Sequence, residues 1–166
     1  MAVRRVGYGI MGEIIRRDEL AAKVLELKAA GKTIVTTNGC FDILHVGHVD
    51  ILNQAKALGD FLIVGLNSDQ SVRRIKGDAR PIMPQDDRAK ILANLIAVDF
   101  VTIFDEETPV EFLKIAKPDI HVKGQDYTAN GLAETPIVES FGGVVKLLPL
   151  LKGNSTSGLI QKIQSL

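Results

Sequence analysis

The order of apolar and polar positions cuts the chain into short segments of two alternating kinds. Residues 13–30 (EIIRRDELAAKVLELKAA) place Leu20, Val24 and Leu27 at helical spacing, with Gly31 as a stop signal. The β-branched run KTIVTT (32–37) predicts a buried strand, VGHVDILNQAKAL (46–58) a helix closed by Gly59, and FLIVGL (61–66) a second strand. Residues 84–97 open with a proline and then acidic and amide residues before apolar spacing sets in, a helix start. Beyond it, DFVTIF (99–104) predicts a strand, TPVEFLKIA (108–116) a helix, DIHVKG (119–124) and GVVKLLPL (143–150) two further strands, and STSGLIQKI (155–163) a capped terminal helix.

Strand and helix in regular alternation imply an α/β fold, a Rossmann-like three-layer sandwich whose mainly parallel sheet is covered on both faces, with the helix of 13–30 added at the N-terminus. The expected division is an N-terminal lead and helix at 1–30 and a single domain at 31–166. In open sheets of this kind ligands bind beyond the carboxyl ends of the strands, where strand order reverses. The strand-end loops are therefore the segments to search for chemistry.

Composition narrows the search by exclusion. Twenty basic side chains balance twenty acidic ones, so no chain-wide positive field draws nucleic acid or an anionic membrane. With no Trp and only eight aromatic residues, base-stacking platforms are not expected. No apolar run approaches the roughly 18 residues of a membrane span, and Arg4 and Arg5 are not followed by the apolar core of a signal peptide. A single cysteine, Cys40, fits a reducing compartment, and a cytoplasmic location is expected.

Two glycine-containing segments compete as phosphate sites. Gly7, Gly9 and Gly12 spell GxGxxG, but no convincing strand precedes them and position 32, where an acidic residue is expected, is a lysine. That segment reads as a lead, not as a dinucleotide fingerprint. The stretch GCFDILHVGH (39–48) lies between the first strand and the next helix, with His45 and His48 three positions apart around Gly47. Residues so spaced share a helix face, glycine allows a ligand near the backbone, and the free N–H groups of a helix start suit phosphate. A zinc site needs three or four protein ligands, and Cys40 and His121, the remaining candidates, lack the spacing. No metal site is read.

GCFDILHVGH resembles the first motif of the HxGH nucleotidyltransferase superfamily, in which cytidylyl- and adenylyltransferases share a Rossmann-like fold. That superfamily's second motif, a Ser/Thr-rich start to a late helix, is matched by GNSTSGLI (153–160), with Ser157 where threonine is common. GLNSDQSVRRIKGDARPI (65–82), DDRAKILANL, FDEETPVEFL, PDIHVKG and VKGQDYT (122–128) are similar to the adenylyltransferases of the heptose pathway, which make ADP-heptose for bacterial lipopolysaccharide. The similarity runs from about residue 14 to the end. It departs at Gln125, where glycine is more usual.

The resemblance implies ATP, carried with Mg²⁺, and a sugar 1-phosphate, D-glycero-β-D-manno-heptose 1-phosphate, as substrates, with homo-oligomers common. Cytidylyl transfer to glycerol 3-phosphate or a similar ester is the alternative using the same motifs. It implies catalytic roles for His45, His48, Lys76, read on a loop, and Arg88, which can instead pair with an acid of its own helix. Nucleotide contacts fall to Asn38, Gly39, Cys40, Phe41, Gly47, Lys123, Gly124, Ser155, Thr156 and Ser157. Substrate contacts fall to Asp42, Asn67, Asp69 (otherwise a helix cap), Arg80, Asp126 and Tyr127.

Overall fold

The computed structural model describes residues 12–125, 132–151 and 153–166. Its strands are β1 (Glu13–Ile14), β2 (Ile34–Gly39), β3 (Phe61–Asn67), β4 (Phe100–Phe104), β5 (Ile120–Gly124) and β6 (Val144–Leu148). Its helices are α1 (Arg17–Ala29), α2 (Val46–Lys56), α3 (Asp69–Lys76), α4 (Gln85–Ala93), α5 (Val110–Ala116), α6 (Thr135–Ser140) and α7 (Thr156–Gln164). The strands form one sheet in the order β1-β4-β3-β2-β5-β6, and every pair is parallel. On one face, Leu52 and Ala55 of α2 and Leu92 of α4 pack with Val35, Leu62 and Val64. On the other, Leu20 and Val24 of α1, Phe112 of α5 and Val138 of α6 pack with Ile34, Ile63 and Phe104. This is the three-layer α/β sandwich that the alternation predicts. Among the described residues no helix is long and apolar enough to cross a membrane.

A repeated local device sets strand register. An aspartate stands immediately before each of β3, β4 and β5, and each accepts a backbone N–H from the neighbouring strand's start. Asp60 takes Thr33 at 2.9 Å, Asp99 takes Leu62 at 2.8 Å and Asp119 takes Ile34 at 2.7 Å. These N–H groups sit at the amino edge of the ladder, where a buried donor without a partner is costly. Gly65 of β3 serves the packing above the sheet, since a Cβ there would lie 2.9 Å from the Phe112 ring.

The structure revises several boundaries. The helix expected over 13–30 begins only at Arg17, while Glu13 and Ile14 extend along β4 opposite Phe100 and Val101. Gly12 explains the switch: a side chain there would meet the Val98 carbonyl at 2.5 Å, and the Gly12 N–H reaches the Ala93 carbonyl at 2.6 Å. Gly7 and Gly9 lie outside the described residues. The helix expected at 84–97 stops at Ala93. Helices α3 and α6 have no clear sequence signal, because α3 buries only Ser71 and Val72 and α6 is six residues long.

Candidate active site

The site begins where β2 ends. Phe41 and Ile43 both take left-handed backbone, with φ of 46° and 51°, a conformation costing bulky residues on the order of 1–3 kcal/mol each. Asp42 between them holds the loop in place. It is 1% exposed, and its carboxylate accepts from Arg80 Nε (2.6 Å), Ile82 N (2.9 Å) and Met83 N (3.0 Å). Its carbonyl accepts from the Thr156 hydroxyl at 2.6 Å. Burial pushes the Asp42 carboxyl up, but these donors outweigh it and hold the group below the usual carboxylate range. One residue, through its carboxylate and its backbone carbonyl, thus joins the first motif, the 80–83 loop and the start of α7. Asp42, for which the sequence suggests a substrate contact, lines the cleft, and its carboxylate is held by protein donors. The Arg80–Pro81 bond is cis.

His45 is the N-cap residue of α2, in extended backbone, and His48 is in its first turn. Their rings stack, with centroids 3.8 Å apart and planes at 23°. The pair therefore forms by stacking across the helix start, not by sharing a regular helix face. The His45 N–H donates to His48 Nδ1 at 3.4 Å, which leaves the His48 proton on Nε2. Burial, with His45 alongside, pushes His48 down to about 4, and burial also lowers His45. Both rings are neutral at pH 7. Gly47 has a structural reason beyond access, since a Cβ would lie 3.0 Å from the His45 ring and 3.3 Å from Asn154.

Arg88 lies beneath the cleft, 1% exposed. Its guanidinium donates to the carbonyls of Met83 (2.9 Å), Cys40 (2.6 Å) and Asn67 (2.8 Å) and to Asp69 Oδ1 (2.7 Å). Where the resemblance implies a catalytic role, the structure turns the planar fork to the ends of β2 and β3 and to Asp69. Asp69 likewise faces Arg88 rather than the cleft, and Ser68 is the cap of α3, accepting from Ser71 N. The Asn67 amide donates to Ser71 Oγ at 2.9 Å while the residue still reaches the cleft. Burial raises the Cys40 thiol, which favours the inert protonated form.

The cleft between these elements holds about 690 Å³, within the range of small-molecule sites. Asn38, Gly39, Cys40 and Phe41 line it from the end of β2, and His45, Gly47 and His48 from α2. Lys76 and Arg80 reach it from beyond β3, with Lys76 the last residue of α3 and not on a loop as the sequence suggests. Lys123 and Gly124 enter from β5, and Ser155, Thr156 and Ser157 from the start of α7, where Ser155 Oγ accepts from Gly158 N at 3.0 Å. Asp126 and Tyr127 lie outside the described residues. Several lining residues escape the sequence reading, Glu107, Thr108 and Glu134 among them. Glu107 and Thr108 follow β4 and were findable as strand-end residues. Glu134 carries no such signal, because α6 is too short to be read. No three described His, Cys, Asp or Glu side chains converge on a metal position.

A parallel sheet with a neutral histidine pair and two helix starts around a strand-end cleft defines a nucleotide-binding α/β protein. The chain belongs to the cytidylyltransferase-like family, whose model matches residues 36–156. The bifunctional protein HldE of Syntrophotalea carbinolica is 51% identical over 150 residues, covering 90% of this chain and 31% of that protein. HldE of Geobacter metallireducens is 52% identical over 146 residues, covering 88% and 30%. The chain spans just under a third of the length of these curated relatives. A solved structure, the lipopolysaccharide core biosynthesis protein of Thermoplasma volcanium, superposes with a TM-score of 0.61 at 30% identity, covering 74% of this chain and 99% of that one.

Proposed function

We propose that this protein is an adenylyltransferase that joins ATP and D-glycero-β-D-manno-heptose 1-phosphate into ADP-heptose and pyrophosphate, supplying a surface-glycan precursor in the cytoplasm. The observation that carries the reading is the convergence of the stacked His45–His48 pair and the α7 start on one cleft. The identity to HldE proteins and the likeness to a lipopolysaccharide core biosynthesis protein support the sugar class.

In this reaction a phosphate oxygen of the sugar attacks the α-phosphorus of ATP, and the bond to the bridging oxygen of pyrophosphate breaks. The attacking phosphate is already anionic at neutral pH, so no general base is required. What remains is alignment and neutralisation of the charge gathering on the α-phosphate and leaving group. The Nε2–H of His48 donates without a charge that must be buried first, and Lys76 adds a cation at the cleft mouth. The N–H groups at the starts of α2 and α7 supply further donors. Mg²⁺ enters with ATP as its triphosphate complex.

The test supplies each nucleoside triphosphate with heptose 1-phosphate or glycerol 3-phosphate and measures pyrophosphate. Release is expected only with ATP and the heptose phosphate. Turnover of CTP with glycerol 3-phosphate alone would sink the reading.

A further inference from the structure

The cleft lining includes two sets of polar groups. One comprises the histidine pair, Lys76, Arg80 and the α7 start; the other is Asn38, Lys123 and Glu134. In the second set Glu134 Oε1 lies 2.8 Å from Lys123 Nζ, and the same ammonium donates to Asn38 Oδ1 at 2.9 Å. The Lys123 and Glu134 side chains are 11% and 6% exposed, so both charges have largely left water. Breaking such a pair is costly, and its geometry is correspondingly fixed. His121, next to Lys123 on β5, is fully buried against the Thr36 hydroxyl at 2.8 Å and is no rival cation, because burial pushes it down to about 3.

Glu134 and Lys123 offset each other's charge at 2.8 Å, so the pair offers a phosphate no net cation and its part of the cleft suits an uncharged, hydrogen-bonding group. The histidine pair, Lys76 and the α7 start remain the donors for the triphosphate. A carboxylate, an ammonium and an amide held together present acceptors and donors side by side. That set matches vicinal hydroxyls, each of which both donates and accepts.

We propose that Glu134, acting with Lys123 and Asn38, recognises the hydroxyls of the acceptor sugar and so determines acceptor specificity. The inference rests on the sugar 1-phosphate reading above. It gives Asn38 and Lys123 to the acceptor, in place of the nucleotide contacts that the resemblance implies for them.

The test is Glu134→Gln, with KM for heptose 1-phosphate and for ATP measured separately by pyrophosphate release. The expected result is a rise of roughly 10- to 100-fold in the sugar-phosphate KM, the span of a hydrogen bond to a charged group, with the ATP KM within about twofold. Glu134→Asp keeps the charge but shortens the reach. Read on the same two constants, it is expected to give a smaller rise, so that if one variant folds poorly the other still decides the matter. An unchanged sugar-phosphate KM, or an equal rise in the ATP KM, overturns the proposal. A wild-type protein that turns over no sugar 1-phosphate removes both readings. An active wild type with indifferent variants removes only this one.

Discussion

At the scale of single residues, His48 and Asp42 show how one side chain is committed before any ligand arrives. The His45 N–H fixes the His48 tautomer, and burial keeps the ring neutral, so its donor is pre-aimed. Replacing His48 with Ala is expected to lower kcat about 100- to 1,000-fold, the loss typical of one aimed donor, while ATP affinity changes only several-fold. Steady-state kinetics beside calorimetric ATP binding checks this, and equal losses in both would remove the transition-state role. The histidine pair and its neighbouring glycine were legible in the sequence because their spacing is local. The burial of Asp42 was not, since it depends on Ile82, Met83, Arg80 and Thr156 arriving from distant segments. Nor was the occupation of Arg88, whose partners lie as far as 48 positions away.

At the scale of elements, the alternation of periods sufficed for β2 to β6 and for the helices with a continuous apolar face. It failed where a helix is mostly polar, as in α3, or very short, as in α6. It also failed at Glu13–Ile14, where pairing with β4 overrides the helical spacing that follows. The N-terminal helix packs against the sheet through Leu20, Val24 and Leu27. Arg88 is the joint among elements, carried on α4 and bonded to the ends of β2 and β3 and to α3. Arg88→Met is expected to cost about 3–5 kcal/mol of stability, the range for breaking a buried pair, measured by urea unfolding. A variant of wild-type stability that had nonetheless lost turnover would place the guanidinium on substrate instead.

At the scale of the whole molecule, the buried His121 and the half-buried His48, both neutral, make the fold sensitive to acid. His121 is held at about 3 and His48 at about 4 in the folded chain, against about 6.5 unfolded. Between those values the unfolded state binds more protons, so stability is full above about pH 6.5 and falls as pH drops toward 4 and below. For His121 alone the loss by pH 5 is about 2 kcal/mol. Thermal melting from pH 7.5 to 5 checks it, and a His121→Asn variant is expected to show a flatter profile. The aspartates before β3, β4 and β5 give the sheet a division of labour. They fasten the amino edge, while His45, His48, Lys76 and Glu134 lie on segments that follow the carboxyl ends of strands and Lys123 lies at the carboxyl end of β5. The protein can accordingly be made more robust, anchored to a support or extended in its rim charges from the amino edge, with the cleft untouched on the far side.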